Sequence, residues 1–225
     1  MPDTVAETLV GGAPVSMGIL SKALTFAPRL VAADGGADRI LAAGLRPARV
    51  VGDMDSLSKA AREAFRDVLD PISEQDSTDF AKAIRTSRAP LVIGVGFIGA
   101  RIDHFLACLS ELARRTGGPA CILLGEDDCL CILPTDACLD LPVGTRVSLW
   151  PLGRVQGRST GLQWPIDGLT LEPAGRIGTS NRTAAPRVTL CCSGAPMALI
   201  LPSDCVSAML DMMEFGPRGA QTGNV

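Results

Sequence analysis

Four short acidic runs in the first half of the chain each follow an apolar segment, and this placement constrains the fold. The runs are Asp34-Gly35-Gly36-Ala37-Asp38, Gly52-Asp53-Met54-Asp55-Ser56, Gln75-Asp76-Ser77-Thr78-Asp79 and Arg101-Ile102-Asp103-His104. In an open α/β sheet the carboxyl ends of the strands converge on one crevice, so acids that follow separate strands become neighbours. Carboxylates ~4 Å apart repel by roughly 4 kcal/mol per pair at an effective dielectric of ~20. The sequence therefore predicts a divalent cation and its ligand in this crevice.

The first half of the chain alternates short apolar segments with helical ones, which is typical of a parallel sheet flanked by helices. The predicted strands are 8–10, 30–33, 49–51, 91–95 and 121–124. The predicted helices are 16–26, 37–43, 58–69, 78–86 and 102–115, with Ser58 and Thr78 as N-caps and Gly44 and Gly117 as stops.

Beyond residue 125 the apolar stretches become short and are separated by Gly, Pro, Ser and Thr. They cover 147–150, 168–171, 187–192 and 198–201. This spacing is typical of a β sandwich or barrel. We therefore predict an α/β N-terminal domain, a parallel sheet flanked by helices, over residues 1–125 and an all-β sandwich C-terminal domain over 126–225. A closing helix is predicted at 205–215 and a loose tail at 216–225.

Composition excludes several classes of protein. The 225 residues suffice for two domains with cores, and 47% hydrophobic with 20% charged residues is typical of a globular protein. No apolar run approaches the ~20 residues of a membrane span. The first four residues lack the features of a signal peptide, which predicts a cytoplasmic protein. A net charge of -3 without a basic face argues against nucleic acid as a partner.

The eight cysteines and the single histidine do not predict a zinc site or a nucleophilic catalyst. The cysteines contain no C-x-x-C pair, and His104 alone cannot complete a Cys/His site of the usual spacing. We expect small buried thiols on strands. Any Ser-His-Asp or Cys-His catalyst would need His104, which stands directly beside Asp103 in one of the acidic runs.

Asp53 and Asp55 flank one residue after a predicted strand, and alternation along an extended chain turns both carboxylates to one side. Such a pair can share a Mg²⁺ ion, although acidic turns are also common. Asp34 follows the preceding strand, and the glycines after it allow a sharp turn or a close approach to phosphate. Asp76 and Asp79 stand at a helix start, where carboxylates also serve as caps.

Residues 94–99 match the G-x-G-x-x-G pattern of dinucleotide-binding proteins. An NAD-dependent oxidoreductase is therefore an alternative. The pattern falls in the middle of the chain, and Glu126 comes late for the acid that binds the ribose. The phosphate-binding pattern G-x-x-x-x-G-K-[ST] is absent, since no lysine precedes Ser or Thr.

In the second half, Trp164 and the pair Ser180-Asn181 are candidates for ligand contact. A tryptophan in a small β domain is also a common core residue, and asparagine is a common turn residue. The residues alone leave both interpretations open.

Taken together, six motifs resemble the thiamine pyrophosphokinase family, and their order matches throughout. They are the acidic runs at 34–37, 52–56, 75–79 and 99–104, with Gly161-Leu162-Gln163-Trp164 and Thr179-Ser180-Asn181. The resemblance implies an α/β nucleotide-binding domain, a C-terminal β sandwich and a homodimer. It also implies transfer of the diphosphate of ATP to the hydroxyl of thiamine, which gives AMP and thiamine diphosphate.

The resemblance also implies roles for individual residues. The metal ligands are expected to be Asp53, Asp55, Asp79 and Asp103, which with Asp34 and Arg101 form the catalytic set. The nucleotide and its phosphates are expected at Gly35, Gly36, Asp55, Ser56 and Arg101. The other substrate-binding residues are expected to be Gln75, Asp76, His104, Trp164, Ser180 and Asn181. Either Asp34 or Asp79 would accept the hydroxyl proton, and Trp164 would stack on the cationic ring of thiamine.

Three positions depart from the usual family pattern: Met54, Ala100 and Arg182. Ala100 stands where glycine is common, which matters only if the backbone there has a positive φ. None of the departures removes a carboxylate, so the intact acidic set argues against the further alternative of a non-catalytic thiamine or nucleotide sensor.

Overall fold

A computed structural model describes residues 5–214, and this part of the chain forms two compact units. The first unit ends at Glu126, and the second begins at Asp127. No helix among the described residues is long and apolar enough to cross a membrane.

The first unit is a parallel sheet with helices between its strands. Its elements are β1 (Glu7–Val10), α1 (Met17–Phe26), β2 (Arg29–Ala33), α2 (Gly36–Ala42), β3 (Arg49–Gly52), α3 (Lys59–Ala64), β4 (Leu69–Pro71), α4 (Asp79–Thr86), β5 (Leu91–Val95), α5 (Ile102–Arg114) and β6 (Ala120–Leu124). The strands pair in parallel in the order β6-β5-β1-β2-β3-β4. The five predicted strands are confirmed, and four of the five predicted helices are confirmed to within one or two residues.

The strand order brings the acidic runs to one edge. β2 and β3 are neighbours, with Ala33 opposite Val51, so the segments that leave their carboxyl ends start side by side. The Asp34 N–H donates to the Val51 carbonyl at 2.8 Å and continues the ladder by one residue. The first aspartate is thereby fixed beside the strand that leads to Asp53.

Hydroxyl side chains begin three of the helices. Ser58 accepts a hydrogen bond from the Ala61 N–H, and Thr78 accepts one from the Ala81 N–H, which confirms both predicted N-caps. Ser16 does the same for α1. Gly44 has a φ of +68° directly after α2, in agreement with a predicted glycine stop.

The helix predicted over 58–69 is wrong in its second half. α3 ends at Ala64, a 3-10 turn covers Arg66–Val68, and β4 pairs with β3 as an edge strand. Pro71 disfavours helical backbone at the residue before it, and an edge strand tolerates a proline. Pairing with β3 therefore replaces the last helical turn.

The second unit contains two antiparallel groups of strands. Its elements are β7 (Asp128–Ile132), β8 (Asp136–Asp140), β9 (Arg146–Pro151), β10 (Val155–Thr160), β11 (Thr170–Leu171), β12 (Gly178–Arg182), β13 (Arg187–Gly194), β14 (Met197–Pro202) and α6 (Val206–Met212). One group of strands has the order β12-β9-β14-β7 and the other has the order β11-β10-β13-β8. All pairings within these groups are antiparallel.

Three of the four predicted segments of the second unit are confirmed as strands, whereas only Thr170–Leu171 of the segment 168–171 forms a strand. β7, β8, β10 and β12 were not predicted. β12 has the sequence GTSNR and buries only Asn181, so it lacks the apolar alternation that marks a strand. The predicted closing helix is shorter at both ends, since α6 follows a 3-10 turn at Ser203–Cys205 and ends at Met212. The predicted tail lies outside the described residues.

Five of the eight cysteines are buried. Burial raises the pKa of the Cys121 thiol to about 12, which keeps it protonated and inert. Cys138 and Cys191 are exposed, so the expectation of buried thiols is wrong for these two.

Gly36 lets α2 start against β1. A Cβ atom at this position would stand 1.9 Å from the Val10 carbonyl oxygen. We expect Gly36→Ala to lower the free energy of unfolding by about 2 kcal/mol or more, because main-chain atoms of β1 would have to move. Denaturant unfolding measures this. Gly12→Ala is the matched control, since a Cβ there meets nothing within 4 Å; equal midpoints for the two variants would contradict this packing.

Candidate active site

Three aspartates meet at the carboxyl edge of the parallel sheet. One carboxylate oxygen from each of Asp34, Asp53 and Asp55 lies within 4.8 Å of the others. Asp34 follows β2, and the other two follow β3. The structure thus brings together two of the predicted metal ligands with the predicted catalytic residue Asp34. Asp79 and Asp103 lie outside this group of the described residues.

Asp34 is the buried member of the group, with 2% of its surface exposed. Its Oδ2 accepts a hydrogen bond from the Ser56 N–H at 3.1 Å, whereas Oδ1 is buried without a hydrogen-bond partner in the described part of the chain. Burial raises the pKa of Asp34, and repulsion from Asp79 and Asp53 adds to this, while the Ser56 hydrogen bonds oppose it. This carboxyl is the one that most readily takes a proton.

Asp53 has the opposite environment. Its Oδ1 accepts the Asp55 N–H at 3.2 Å, and its Oδ2 accepts the Gln75 side-chain amide at 3.1 Å. The backbone hydrogen bond, the Gln75 hydrogen bond and the Lys82 charge lower the pKa of Asp53 against a smaller effect of burial. The ionised form of Asp53 is therefore favoured, beside a carboxyl whose pKa is raised.

Lys82 is a site residue that the sequence reasoning missed. It is 1% exposed, and its Nζ lies 3.2 Å from Asp79 Oδ1 and 3.5 Å from Asp53 Oδ2. Burial disfavours its charge, but the hydrogen bond and attraction from Asp79 and the charge of Asp53 outweigh burial and raise its pKa. The available signal was a lysine within the apolar face of α4, three residues after an acid of the motif.

Gly52 allows two of the acids to approach the same point. With a φ of +151°, it places its Cα where an added Cβ would stand 2.8 Å from Asp34 Cβ and 3.0 Å from Asp79 Oδ1. Asp79, the first residue of α4, approaches the same point and raises the pKa of Asp34 by repulsion, although it lies outside the tight group. A side chain at position 52 would fill this space.

The segment before α4 is held by Glu74, a further residue that the motifs did not include. Glu74 accepts hydrogen bonds from the N–H groups of Asp76 and Ser77, from the Ser77 hydroxyl and from Arg85. The Ser77 and Arg85 bonds lower the pKa of Glu74 to about 2. Asp76 is exposed, and Thr78 caps α4, so the capping interpretation of Asp76 is wrong.

Arg101 and Asp103 form an exposed bidentate pair, with Nε to Oδ1 at 3.1 Å and Nη2 to Oδ2 at 2.5 Å. The Arg101 guanidinium lowers the pKa of Asp103 to about 2. His104 follows in the first turn of α5 and is exposed. Among the described residues, neither side chain of the pair has a hydrogen bond to the Asp34 group.

The glycine-rich run at 94–99 serves to pack two loops. Gly94 lies inside β5, and the Gly96 carbonyl accepts the Ala13 N–H at 3.0 Å. α5 begins only at Ile102, so no helix N-terminus directly follows the last glycine. The geometry does not favour the dinucleotide-binding alternative, which needs a helix N-terminus at that glycine.

At the predicted nucleotide segment, Gly35 is the N-cap of α2, and Gly36 packs on β1. Ser56 donates its N–H to Asp34 and its hydroxyl to Asp55 at 3.0 Å. Ser56 therefore links the buried and the exposed acids of the group.

In the second unit, Asn181 holds the main chain at Trp164. Its side chain accepts the Trp164 N–H at 3.2 Å and donates to the Trp164 carbonyl at 2.6 Å. Asn181 is buried, whereas Trp164 is 54% exposed beside a cavity of about 240 Å³ that Ile166, Leu171 and Ile177 also line. Ser180 is exposed on the neighbouring strand β12.

Backbone strain marks the same motifs. Five described non-glycine residues have a positive φ, and four of them lie in the motifs: Asp34, Met54, Ala100 and Ser180. A left-handed backbone is unfavourable for side chains with a Cβ, and such residues cluster at functional sites. Ala100 has a φ of +53°, so its replacement of glycine does introduce strain.

Comparison with known proteins finds similarity to one family. Residues 20–122 match the model described as "Thiamin pyrophosphokinase, catalytic domain". Thiamine pyrophosphokinase 3 of Oryza sativa subsp. japonica is 28% identical over 214 aligned positions, which cover 76% of this chain and 79% of the relative. By these matches the chain is similar to thiamine pyrophosphokinases.

Solved structures of thiamin pyrophosphokinases have a similar fold. The thiamin pyrophosphokinase from Geobacillus thermodenitrificans is 25% identical, with 89% of this chain and 98% of that chain covered and a TM-score of 0.69. The yeast enzyme is 16% identical, with 93% and 89% covered and a TM-score of 0.77. The family match spans all the carboxylates of the edge and ends before Trp164, Ser180 and Asn181.

The buried ion pairs of Lys82 with Asp53 and Asp79 can be tested by substitution. We expect Lys82→Met to lower the free energy of unfolding in EDTA by about 2–3 kcal/mol, because Asp53 and Asp79 lose their shared cation. Denaturant unfolding at pH 7 measures the change. Lys59→Met is the control, since Lys59 is an exposed lysine of α3. Equal stability of the two variants would show that the buried ion pairs do not hold this edge together.

Proposed function

We propose that the protein is a thiamine pyrophosphokinase, which transfers the diphosphate of ATP to the hydroxyl of thiamine and releases AMP and thiamine diphosphate. The single observation that carries the proposal is the convergence of Asp34, Asp53 and Asp55 at the carboxyl edge of a sheet in a chain similar to this family. Diphosphoryl transfer requires positioning of an alcohol and neutralisation of polyphosphate charge more than covalent chemistry by the protein. A cluster of carboxylates at a sheet edge suits that task when a cation is bound.

The acidic group fits a hard divalent cation. Carboxylate oxygens are the ligands that Mg²⁺ prefers, and the mutual repulsion of three such groups needs a positive charge or a proton. We propose that Asp53 and Asp55 hold Mg²⁺, with Asp79 and Asp103 as further ligands. When bound, Mg²⁺ neutralises charge on the phosphate oxygens.

The environments of the acids divide their roles. Asp53 is kept ionised by its hydrogen bonds, whereas burial raises the pKa of Asp34 and leaves one of its oxygens without a partner among the described residues. Groups whose pKa values are pushed apart serve as the separate charge-holding and proton-carrying members of a site. We propose Asp34, of the two candidates, as the acceptor of the thiamine hydroxyl proton.

The remaining residues of the first unit bind and orient. Arg101 is proposed to bind phosphate oxygens, for which its planar fork of N–H donors is suited. Gly35, Gly36 and Ser56 are proposed to line the nucleotide phosphates with main-chain groups. Gln75, Asp76 and His104 are proposed to contact substrate, and Gln75 also orients Asp53 through its side-chain amide.

The second unit is proposed to bind thiamine. An exposed tryptophan beside an apolar cavity offers a face for a cationic aromatic ring, an attraction of about 2 kcal/mol when desolvated. Asn181 acts on this platform through the main chain of Trp164, which makes it a positioning residue. We further propose that the two antiparallel groups of strands form a β sandwich and that this domain forms the homodimer.

The reaction is tested by its products. With ATP, MgCl₂ and thiamine, we expect equal amounts of AMP and thiamine diphosphate, because the acceptor gains both phosphates in one step. Chromatography with mass detection identifies the products. ADP with thiamine monophosphate would show a simple kinase and contradict the proposal.

Matched variants connect this activity to the carboxylates. Asp53→Asn, Asp55→Asn and Asp103→Asn are each expected to lower turnover by about 100-fold or more, equivalent to roughly 2.7 kcal/mol in the barrier. Asp211→Asn, an exposed aspartate of α6, is the control and should retain wild-type turnover. Turnover within about threefold of wild type for all three site variants would reject the acidic group as the catalytic site.

Composite sites in the homodimer predict complementation between inactive variants. We propose that Trp164, Ser180 and Asn181 of one subunit serve the carboxylates of the other. Mixed Asp55→Asn and Trp164→Ala chains should then regain activity, because one site of each heterodimer is free of both substitutions. Native mass spectrometry verifies subunit exchange. Exchange without recovered activity, or an active monomer, would contradict composite sites.

A further inference from the structure

A second polar cavity opens in the first unit, with a volume of about 580 Å³. Four arginines line it, Arg29, Arg49, Arg85 and Arg88, together with Glu7. Small-molecule sites in proteins typically have volumes of about 300–1,000 Å³. The cavity therefore has the size of a ligand site, and its lining is mostly cationic.

The cavity lies at the opposite edge of the sheet from the carboxylates. Arg29 and Arg49 are the first residues of β2 and β3, whose other ends lead to Asp34 and Asp53. Glu7 begins the neighbouring strand β1. A five-residue strand spans about 16 Å, so the arginine cavity and the acidic group are separate sites.

Three of the four arginines lie near a carboxylate of the described residues. Glu7 is 4% exposed, accepts the Ser87 hydroxyl at 2.6 Å, and lies 3.8 Å from Arg29 Nε. Arg49 lies 3.4 Å from Asp70, and Arg85 lies 2.9 Å from Glu74.

Arg88 is exposed, and within residues 5–214 it takes part in no ion pair. It therefore brings to the cavity a positive charge that no carboxylate of that part of the chain neutralises in an ion pair.

Arg49 has more N–H donors than it has acceptors in the described part of the chain. A guanidinium group has five N–H donors, whereas Arg49 directs Nη1 to Asp70 and Nη2 to Thr86 at 3.2 Å. Convergent guanidinium groups match the several oxygens of a phosphate group, and they repel one another when no anion is bound. The cavity is larger than a single phosphate needs.

We propose that the arginine cavity is a second ligand site, which binds a small anion bearing a diphosphate group. This site is independent of the metal-dependent site at the carboxyl edge. It requires no metal, because its charge is supplied by the arginines themselves.

Titration calorimetry of the protein with inorganic pyrophosphate, in EDTA at low ionic strength, tests the proposal. EDTA removes any cation from the acidic group, whose carboxylates then repel the probe. We expect wild type to bind one pyrophosphate per chain and Arg88→Glu to weaken binding about tenfold or more, equivalent to 1.4 kcal/mol. Arg88 is preferred to Arg85 because Arg85 also holds Glu74. Arg88→Ala is a second, less disruptive variant with the same expected direction.

Arg66→Glu is the matched control, an exposed arginine with the same change of charge and no place in the cavity. Its affinity should stay within about twofold of wild type. Absence of binding by wild type, or unchanged binding by both Arg88 variants, would overturn the proposal.

Loss of binding in Arg101→Ala but not in Arg88→Glu would place the pyrophosphate at the carboxyl edge and also overturn it. Turnover of Arg88→Glu with MgATP and thiamine should equal that of wild type, so this test stands apart from that of the proposed function.

Discussion

Repulsion among the carboxylates of Asp34, Asp53 and Asp55 is the constraint on which the carboxyl edge of this sheet depends. The parallel pairing of β2 with β3 forces the acids together, because both segments leave the sheet at the same edge. The molecule accommodates them by three local means. The Ser56 N–H stabilises Asp34, the Gln75 amide and Asp55 N–H stabilise Asp53, and Lys82 supplies a buried cation between Asp53 and Asp79.

Strained backbone accompanies the same arrangement of acids. Asp34, Met54 and Ala100 have positive φ values in the segments that follow β2, β3 and β5. Each of these residues changes the direction of the chain in a polar segment that follows a buried strand. Such strain persists only where surrounding contacts determine the conformation, as the Val51 carbonyl does for Asp34.

Much of the first unit could be predicted from the sequence, because short apolar strands, N-cap hydroxyls and acidic strand ends are local signals. Lys82 could not, since its partners come from β3 and from its own helix, and burial of a lysine contradicts its ordinary preference for solvent. β4 was missed because pairing with β3 overrides a helical pattern. β12 was missed because its one buried side chain is a hydrogen-bonded asparagine.

Anomalous diffraction shows directly whether the acidic group holds a divalent cation. The crystals are grown with Mn²⁺ and a non-hydrolysable ATP analogue. We expect a manganese peak about 2.0–2.3 Å from carboxylate oxygens of Asp53 and Asp55, with phosphate oxygens of the nucleotide as the other ligands. Asp55→Asn crystals should lose or weaken the peak. A bound nucleotide with no metal at these aspartates, or a metal held elsewhere, would contradict a cation site at the acidic group.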